Sequence, residues 1–207
     1  TTPYVAGQGA CVGRDGRVYL SATGNGGGYL VRCERDGGKR YSGPIVYAAA
    51  NATANADGIV ASANGHFAHK VTLYDRSLLT IGEFDDFLVN DTVGWSSPSC
   101  VAVGASGDFY GLDHLRNRIV RVSPGGKFVR SYAYPPEPNK PNEKAWHLRV
   151  CEKTEAFYLV GMNHLLRCVG FDGKERWSFL AGAGQGYPTF SGGYDVDDDG
   201  NLFVIGP

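Results

Sequence analysis

Apolar residues fall along this chain in short runs, interleaved with polar positions and cut by Gly-containing turns, which is the pattern of β-strands rather than of helices. Five segments share one form, an apolar strand, a turn, then a strand carrying an aromatic. They are Cys11-Val-Gly-Arg-Asp-Gly-Arg-Val-Tyr19, Ile59-Val-Ala-Ser-Ala-Asn-Gly-His-Phe67, Val101-Ala-Val-Gly-Ala-Ser-Gly-Asp-Phe-Tyr110, Val150-Cys-Glu-Lys-Thr-Glu-Ala-Phe-Tyr158 and Tyr194-Asp-Val-Asp-Asp-Asp-Gly-Asn-Leu-Phe203. Their aromatics align at positions 19, 67, 110, 158 and 203, a period of ~45 residues that suits four short strands with their turns. The downstream halves repeat as well, since Asn117–Lys127 lines up with Leu165–Lys174 and with Leu30–Lys39. Each of these reads as a strand, a Gly turn and an outer strand such as Phe128–Tyr132 or Glu175–Phe179.

These elements predict an all-β protein, a β-propeller of four-stranded antiparallel blades. A lone twisted sheet of that size cannot bury both faces, so neighbouring sheets must stack around an axis. The expected blades are 8–50, 55–90, 97–134, 144–182 and 191–207, about four and a half in a single propeller. Within each, strands A to D follow one another, A innermost and D outermost. Composition agrees: 30 Gly, 10 Pro and 12 Tyr against a single Met indicate tight turns between aromatic-rich strands. Only Leu112–Ile119 has helix-like spacing, and it is too short for a helix.

Residues Ser97–Val129 carry the fullest unit: Ser97-Pro-Ser-Cys-Val-Ala-Val-Gly-Ala-Ser-Gly-Asp-Phe-Tyr-Gly-Leu-Asp-His-Leu-Arg-Asn-Arg-Ile-Val-Arg-Val-Ser-Pro-Gly-Gly-Lys-Phe-Val129. This stretch resembles an NHL repeat, and residues 144–180 and 191–204 resemble it less completely. The resemblance implies a propeller, commonly six-bladed, in which Asp113 and Arg118 match the family's Asp and Asn-Arg-Ile positions and shape the B–C loop. Gly173-Lys-Glu-Arg-Trp177 resembles quinoprotein-type blades more weakly. A six-bladed ring needs roughly 270 residues at ~45 per blade, so further polypeptide, on this chain or a partner, is expected to complete it. Thr2–Gly7 is a candidate outer strand for the last blade.

The net charge of −1 gives no clustered basic surface, so nucleic acid is not an expected partner. No apolar stretch reaches the ~20 residues of a membrane span. Asn-x-Thr sequons at Asn51 and Asn90 lean toward an extracellular or periplasmic location and leave the compartment open. The five cysteines read as small buried residues. Cys11 and Cys33, like Cys151 and Cys168, fall on A and C strands of one blade, ~9.5 Å apart, beyond disulfide reach.

Three sets of residues carry candidate chemistry. His114 and His164, with His69 at a comparable place, fall in B–C loops whose imidazoles would share a divalent metal such as zinc if they converged on the channel. NHL-type amidating lyases place metal-binding histidines there, so the resemblance implies a metal-dependent lyase or hydrolase as one alternative. Asp195, Asp197 and Asp199, alternating around Gly200, suit calcium, although one ligand is missing under either common loop scheme. They coincide with an A–B turn, where Asp and Gly also serve as turn residues. The third set is the loop residues Tyr29, Trp95, His114, Trp146, His147 and Tyr187. The Pro-rich segment Tyr134-Pro-Pro-Glu-Pro-Asn-Lys-Pro141 leads into two of them as a surface loop or a lip over a site. No Gly-x-Ser-x-Gly elbow or phosphate loop is present. The leading expectation is a non-enzymatic scaffold, with no cofactor, that binds a protein, peptide or glycan through these loops. The alternatives are the channel enzyme and a structural subunit of an extracellular assembly.

Overall fold

Each complete blade is an antiparallel meander held by Gly turns, as Gly107 in the third blade illustrates. Its φ of 88° lies in the left-handed region that only glycine enters without cost. That geometry lets its amide bond back to the Gly104 carbonyl at 3.1 Å and reverse the chain. In this computed structural model, residues 6–24, 27–34, 36–41, 51–64, 69–87, 97–136, 145–161, 165–180 and 194–204 are described.

The strands are β1 (Ala6–Val12), β2 (Val18–Gly24), β3 (Gly27–Cys33) and β4 (Lys39–Tyr41) in blade one, and β5 (Asn51–Ala54), β6 (Val60–Asn64), β7 (Lys70–Tyr74) and β8 (Thr80–Phe84) in blade two. Blade three holds β9 (Val101–Val103), β10 (Phe109–Asp113), β11 (Arg118–Val122) and β12 (Phe128–Ala133). Blade four holds β13 (Ala145–Cys151), β14 (Ala156–Gly161), β15 (Leu165–Gly170) and β16 (Glu175–Leu180), and a two-stranded sheet follows, β17 (Tyr194–Val196) with β18 (Leu202–Val204). Within each sheet the strands pair in chain order. The first strands touch in succession, β1 on β5, β5 on β9, β9 on β13 and β13 on β17. They therefore form the inner wall, and the protein is a β-propeller of four complete blades plus the beginning of a fifth sheet. The described residues contain no helix.

The core lies between blades. Ala61, Ala63, Val71 and Leu73 of blade two pack on Val101, Phe109, Val120 and Val122 of blade three. Tyr110, Leu112, Ile119 and Tyr132 then pack on Leu148, Phe157, Leu159 and Val169 of blade four. Full burial of one such Leu or Phe contributes about 1.5–3 kcal/mol. Polar staples join neighbouring sheets on the face that carries the A–B turns. The Arg14 amide donates to the Ala54 carbonyl at 3.0 Å, and Asn55 Nδ2 donates to the Gly107 carbonyl at 3.4 Å. Tyr158 OH donates to the Gly200 carbonyl at 3.1 Å.

Blade two begins earlier than its sequence suggests. The segment Ile59–Phe67 is not its A strand, turn and B strand. The A strand is Asn51–Ala54, the turn is 55–59, and Val60–Asn64 is already strand B, so the counterpart of Tyr19 and Tyr110 is not Phe67. Small residues fill this blade's inner strands because Ala61 and Ala63 lie fully buried against the following blade. Ala6 and Gly7 are also reassigned, since they pair with β2 inside blade one. They do not extend the last sheet as an outer strand.

All five cysteines are free. Cys100, Cys151 and Cys168 are buried as expected, whereas Cys11 and Cys33 are only half-buried. Burial nevertheless pushes the Cys11 thiol up to about 12, against the opposing influence of Arg149. The Asn51 sequon opens inner strand β5, where Thr53 is buried. A strand buried at the axis is not the surface loop that glycosylation needs. Asn90 lies outside the described residues.

Candidate functional site

B–C loops and blade-to-blade connections share one face of the propeller, opposite the stapled A–B turns. Its best-defined feature is built by an irregularity in β13. Ala145 pairs with Gly161 and His147 with Val160, so the register shifts at Trp146, a β-bulge. Bulges re-aim a side chain, and here the half-buried indole lies over the His114 ring, with centroids 5.1 Å apart and planes 30° from parallel. His114 is 1% exposed. Its Nδ1 lies 3.3 Å from Ser97 Oγ, and the same hydroxyl accepts the Leu115 amide at 3.3 Å. Ser97, on the cis Ser97–Pro98 bond that leads into β9, thus fixes the ring that supports Trp146.

His147, the next residue of β13, is exposed and lies opposite Val160. The protein surrounding its ring, and then the Arg149 guanidinium two residues on, hold its pKa below the ordinary histidine value. A neutral imidazole at pH 7 offers one donor and one acceptor. Among the described residues the charges nearby are matched. Buried Asp113 accepts Arg118 Nε at 2.8 Å and lies 3.6 Å from Arg116 Nη1, and Asp86 pairs with both arginines at 3.2 Å. Burial would raise the Asp86 pKa, but the hydrogen bonds from Arg118 and Arg116 outweigh it and lower it. At the other flank the buried Arg167 donates from Nε to Glu175 at 2.7 Å and from Nη2 to the Pro135 carbonyl at 2.9 Å, which anchors the start of the Pro-rich segment.

His114 and His69 do not occupy equivalent places. His114 directly follows strand B of its blade, whereas His69 directly precedes strand C of blade two. The counterpart of His69 is Asn117, and the two share a positive φ, 52° and 48°. His164 lies outside the described residues, although its position just before β15 gives it the same place in the chain as Asn117. Among the described residues no group of three or more His, Cys, Asp or Glu is arranged to hold a metal.

The three aspartates of the fifth sheet diverge as well. Asp195 accepts Arg149 Nε at 2.9 Å, Asp199 accepts Lys153 Nζ at 2.6 Å, and Asp197 accepts the amides of Asp199 and Asn201 at 3.0 and 2.8 Å. Their chemistry here is that of an A–B turn tied to blade four. Of the expected loop residues, Tyr29 is instead a half-buried strand residue, opposite Ala22 in β2 and β3. Trp95 and Tyr187 lie outside the described residues. The sequence reading missed Ser97 and Arg167. The first is visible only as a Ser-Pro before strand A, and the second only as one of several strand-C arginines.

The geometry defines a β-propeller whose loop face carries an aromatic stack, Trp146 on His114. Comparison with known proteins adds to this at the level of the fold. No family model matches the chain, so membership of the NHL family is not shown, and no curated protein matches it. Among solved structures it is similar to virginiamycin B lyase from Staphylococcus aureus, with 19% identity and a TM-score of 0.63 over 96% of this chain and 62% of that one. A catalytically inactive histidine-to-alanine variant of that lyase with quinupristin gives 18% identity and a TM-score of 0.66, covering 99% of this chain and 64% of that one. The WD40 domain of Neurospora crassa Pan2 gives 8% identity and a TM-score of 0.57, covering 86% of this chain and 50% of that one. The chain therefore spans less than two thirds of the length of the lyases it resembles.

Proposed function

We propose that this propeller is a binding module that takes an uncharged, peptide-like ligand on its loop face. The observation that carries this reading is the bulge that lays Trp146 over the buried His114. A ring seated on a rigid support is a stacking platform that loses little conformational freedom when a ligand arrives. His147, the next residue along β13, adds a neutral donor and acceptor at this end of the strand, and among the described residues the Asp113, Asp86, Arg116 and Arg118 charges are matched within their own network. Protein loops that present aromatic or amide groups fit this mouth, and the planar faces of a glycan are the second ligand of the same kind.

The test is an array of short peptides, neutral and aromatic against acidic and basic, probed with the purified chain and with Trp146→Ala. The expected result is saturable binding of the neutral aromatic class, weakened about tenfold by the substitution, a loss of ~1.4 kcal/mol. Equal binding by the variant, or preference for charged peptides, would overturn the reading. Incubation with quinupristin tests the catalytic alternative that the lyase neighbours bring to mind. The chain is expected to leave quinupristin unchanged on chromatography, and consumption abolished by His147→Ala would put a lyase in place of the binding module.

A further inference from the structure

From Trp146 at the loop face, strand β13 runs on toward the A–B turns. Leu148 and Val150 pack against blade three, so His147 and Arg149 lie on the other side of the strand, ~7 Å apart along it. Arg149 Nε donates to Asp195 Oδ1 at 2.9 Å and its Nη1 to the Leu148 carbonyl at 3.0 Å. The guanidinium stands over the Tyr194 ring, 5.4 Å from the centroid. Tyr194 and Val196 pack on blade four, so Asp195 between them faces away from it. Strand β18 occupies the outer edge of β17, and Arg149 therefore meets Asp195 past the inner edge, at the propeller axis.

A second set of contacts locates the pair in the same place. Burial dominates the Cys11 thiol of β1, and after it Arg149 of β13, Asp15, Asp195 of β17 and Cys100 just before β9 act on it. Side chains of four inner strands approach one another in this way only inside the ring those strands form. The ion pair is nonetheless open, the Arg149 side chain being 31% and that of Asp195 75% exposed. Among the described residues, Arg149 Nη2 and Asp195 Oδ2 have no hydrogen-bond partner. The pair thus presents one donor and one acceptor with its charges balanced.

We propose that Arg149 and Asp195 form an axial subsite that takes the backbone C=O and N–H of one residue of an extended peptide ligand. The C=O accepts from Arg149 Nη2 and the N–H donates to Asp195 Oδ2. In an extended chain these two groups of one residue point to the same side, as they do where antiparallel strands pair. The proposal rests on the peptide-binding reading and extends it by one contact inside the channel. A ligand carboxylate would meet Asp195 as a like charge, and an ammonium would meet Arg149, so a neutral amide backbone is the group that fits. The Leu148 carbonyl and the Tyr194 ring hold the guanidinium in position. Trp146 and Arg149 are three residues apart on one strand, ~10 Å. A peptide that seats its aromatic side chain on Trp146 therefore brings the residue about three positions along onto the pair.

The test takes a neutral aromatic peptide that binds the native chain, with its aromatic at the centre, and N-methylates each amide in turn. The series is titrated against the native chain and Asp195→Ala, with a thermal melt to show that the variant is folded. Methylation about three residues from the aromatic should weaken binding to the native chain about tenfold. The same methylation should change binding to Asp195→Ala by less than about twofold, because the acceptor it blocks is already gone. Binding that needs Trp146 but shows no methylation effect removed by Asp195→Ala overturns the subsite and leaves the platform standing. Preference for a peptide with a carboxylate at that position also overturns it, since the ligand would then displace Asp195 from Arg149. If no neutral aromatic peptide binds, the ligand reading fails and the subsite falls with it.

Discussion

Glu152 offers the sharpest test of how neighbouring blades are held together. It sits in the turn after β13, yet its carboxylate accepts three hydrogen bonds from blade three, from the Ser106 amide at 2.6 Å, Ser106 Oγ at 2.7 Å and Tyr110 OH at 2.5 Å. Arg121 Nη2 stands 3.5 Å away, and the Glu152 side chain is 16% exposed. A hydrogen bond to a charged group contributes ~1.5–3 kcal/mol. The Tyr110 bond merits that range, because its removal strands a hydroxyl on a fully buried ring. The two Ser106 bonds lie near solvent, so each is discounted to below ~1 kcal/mol. Glu152→Ala should then cost about 3–4 kcal/mol. Glu152→Gln keeps the shape but turns one acceptor into a donor, and should cost about 1–2 kcal/mol.

Urea unfolding followed by circular dichroism measures both, with the slope expected to stay constant. A double-mutant cycle with Tyr110→Phe should give a coupling above ~1 kcal/mol. The pH dependence has a definite sign. Burial would raise the Glu152 pKa, but the bonds from Ser106 and Tyr110 and the charge of Arg121 outweigh it and hold it below 4.5. A carboxyl depressed in the folded state contributes stability that is present above its unfolded pKa and lost as pH falls through the folded one. The advantage of the native chain over Glu152→Gln should therefore be full at neutral pH and shrink below pH ~4.5. A Glu152→Ala cost under ~0.5 kcal/mol, or a coupling near zero, would refute the stapling argument.

Other perturbations follow from the same contacts. A Cβ on Gly104 would lie 2.6 Å from the Glu152 carboxylate, so Gly104→Ala should destabilise by about 1–3 kcal/mol and be largely non-additive with Glu152→Ala on urea unfolding. Arg167→Ala leaves the half-buried Glu175 and the Pro135 carbonyl without this donor, and a thermal melt should show a loss of about 1–3 kcal/mol. Asp198 is well exposed, and its two hydrogen bonds from Arg14 join the first and fifth sheets. Asp198→Asn should cost no more than ~1 kcal/mol, and that cost should fade in 1 M salt. In an NMR titration the His147 midpoint should lie below 6.5 and move up in Arg149→Met, the direction set by removing a repelling charge.

Much of the fold was legible because each blade repeats its own chemistry. Asp or Asn and Gly mark the turns, a tyrosine or phenylalanine marks strand B, and the period is long enough for four strands. Blade two escaped because two turn-like strings compete there, Asn55-Ala-Asp-Gly58 and Asn64-Gly65, and Phe67 drew the alignment to the second. Its true B strand is Val60-Ala-Ser-Ala-Asn64, whose small residues carry little strand signal. They are small because blade three packs close against them, and that neighbour is invisible locally. The histidines were misplaced for a related reason. Matching Asp113-His-Leu with Asn163-His-Leu set His69 at a place comparable to His114, whereas loop length varies between blades. Counting back from strand C pairs His69 with Asn117, which their shared left-handed backbone supports.

The loop face was less legible because its contacts join residues that are distant in the chain and absent from the repeat. Trp146 meets His114 across two blades, and nothing in Ala145-Trp-His147 announces a bulge. Ser97 and Arg167 matter only through what they hold, the His114 ring and the Pro135 carbonyl. The A–B face shows the opposite economy. There the recurring turn and the strand-B aromatic make the interblade bonds themselves, as Tyr110 does with Glu152 and Tyr158 with the Gly200 carbonyl. One face is thus bound largely by residues of the repeat, which leaves the other free to diverge without unfolding the ring. A ligand site should therefore be sought where the repeat is broken. In the described part of this chain, the break that places an aromatic platform at the mouth of the propeller is the bulge at Trp146.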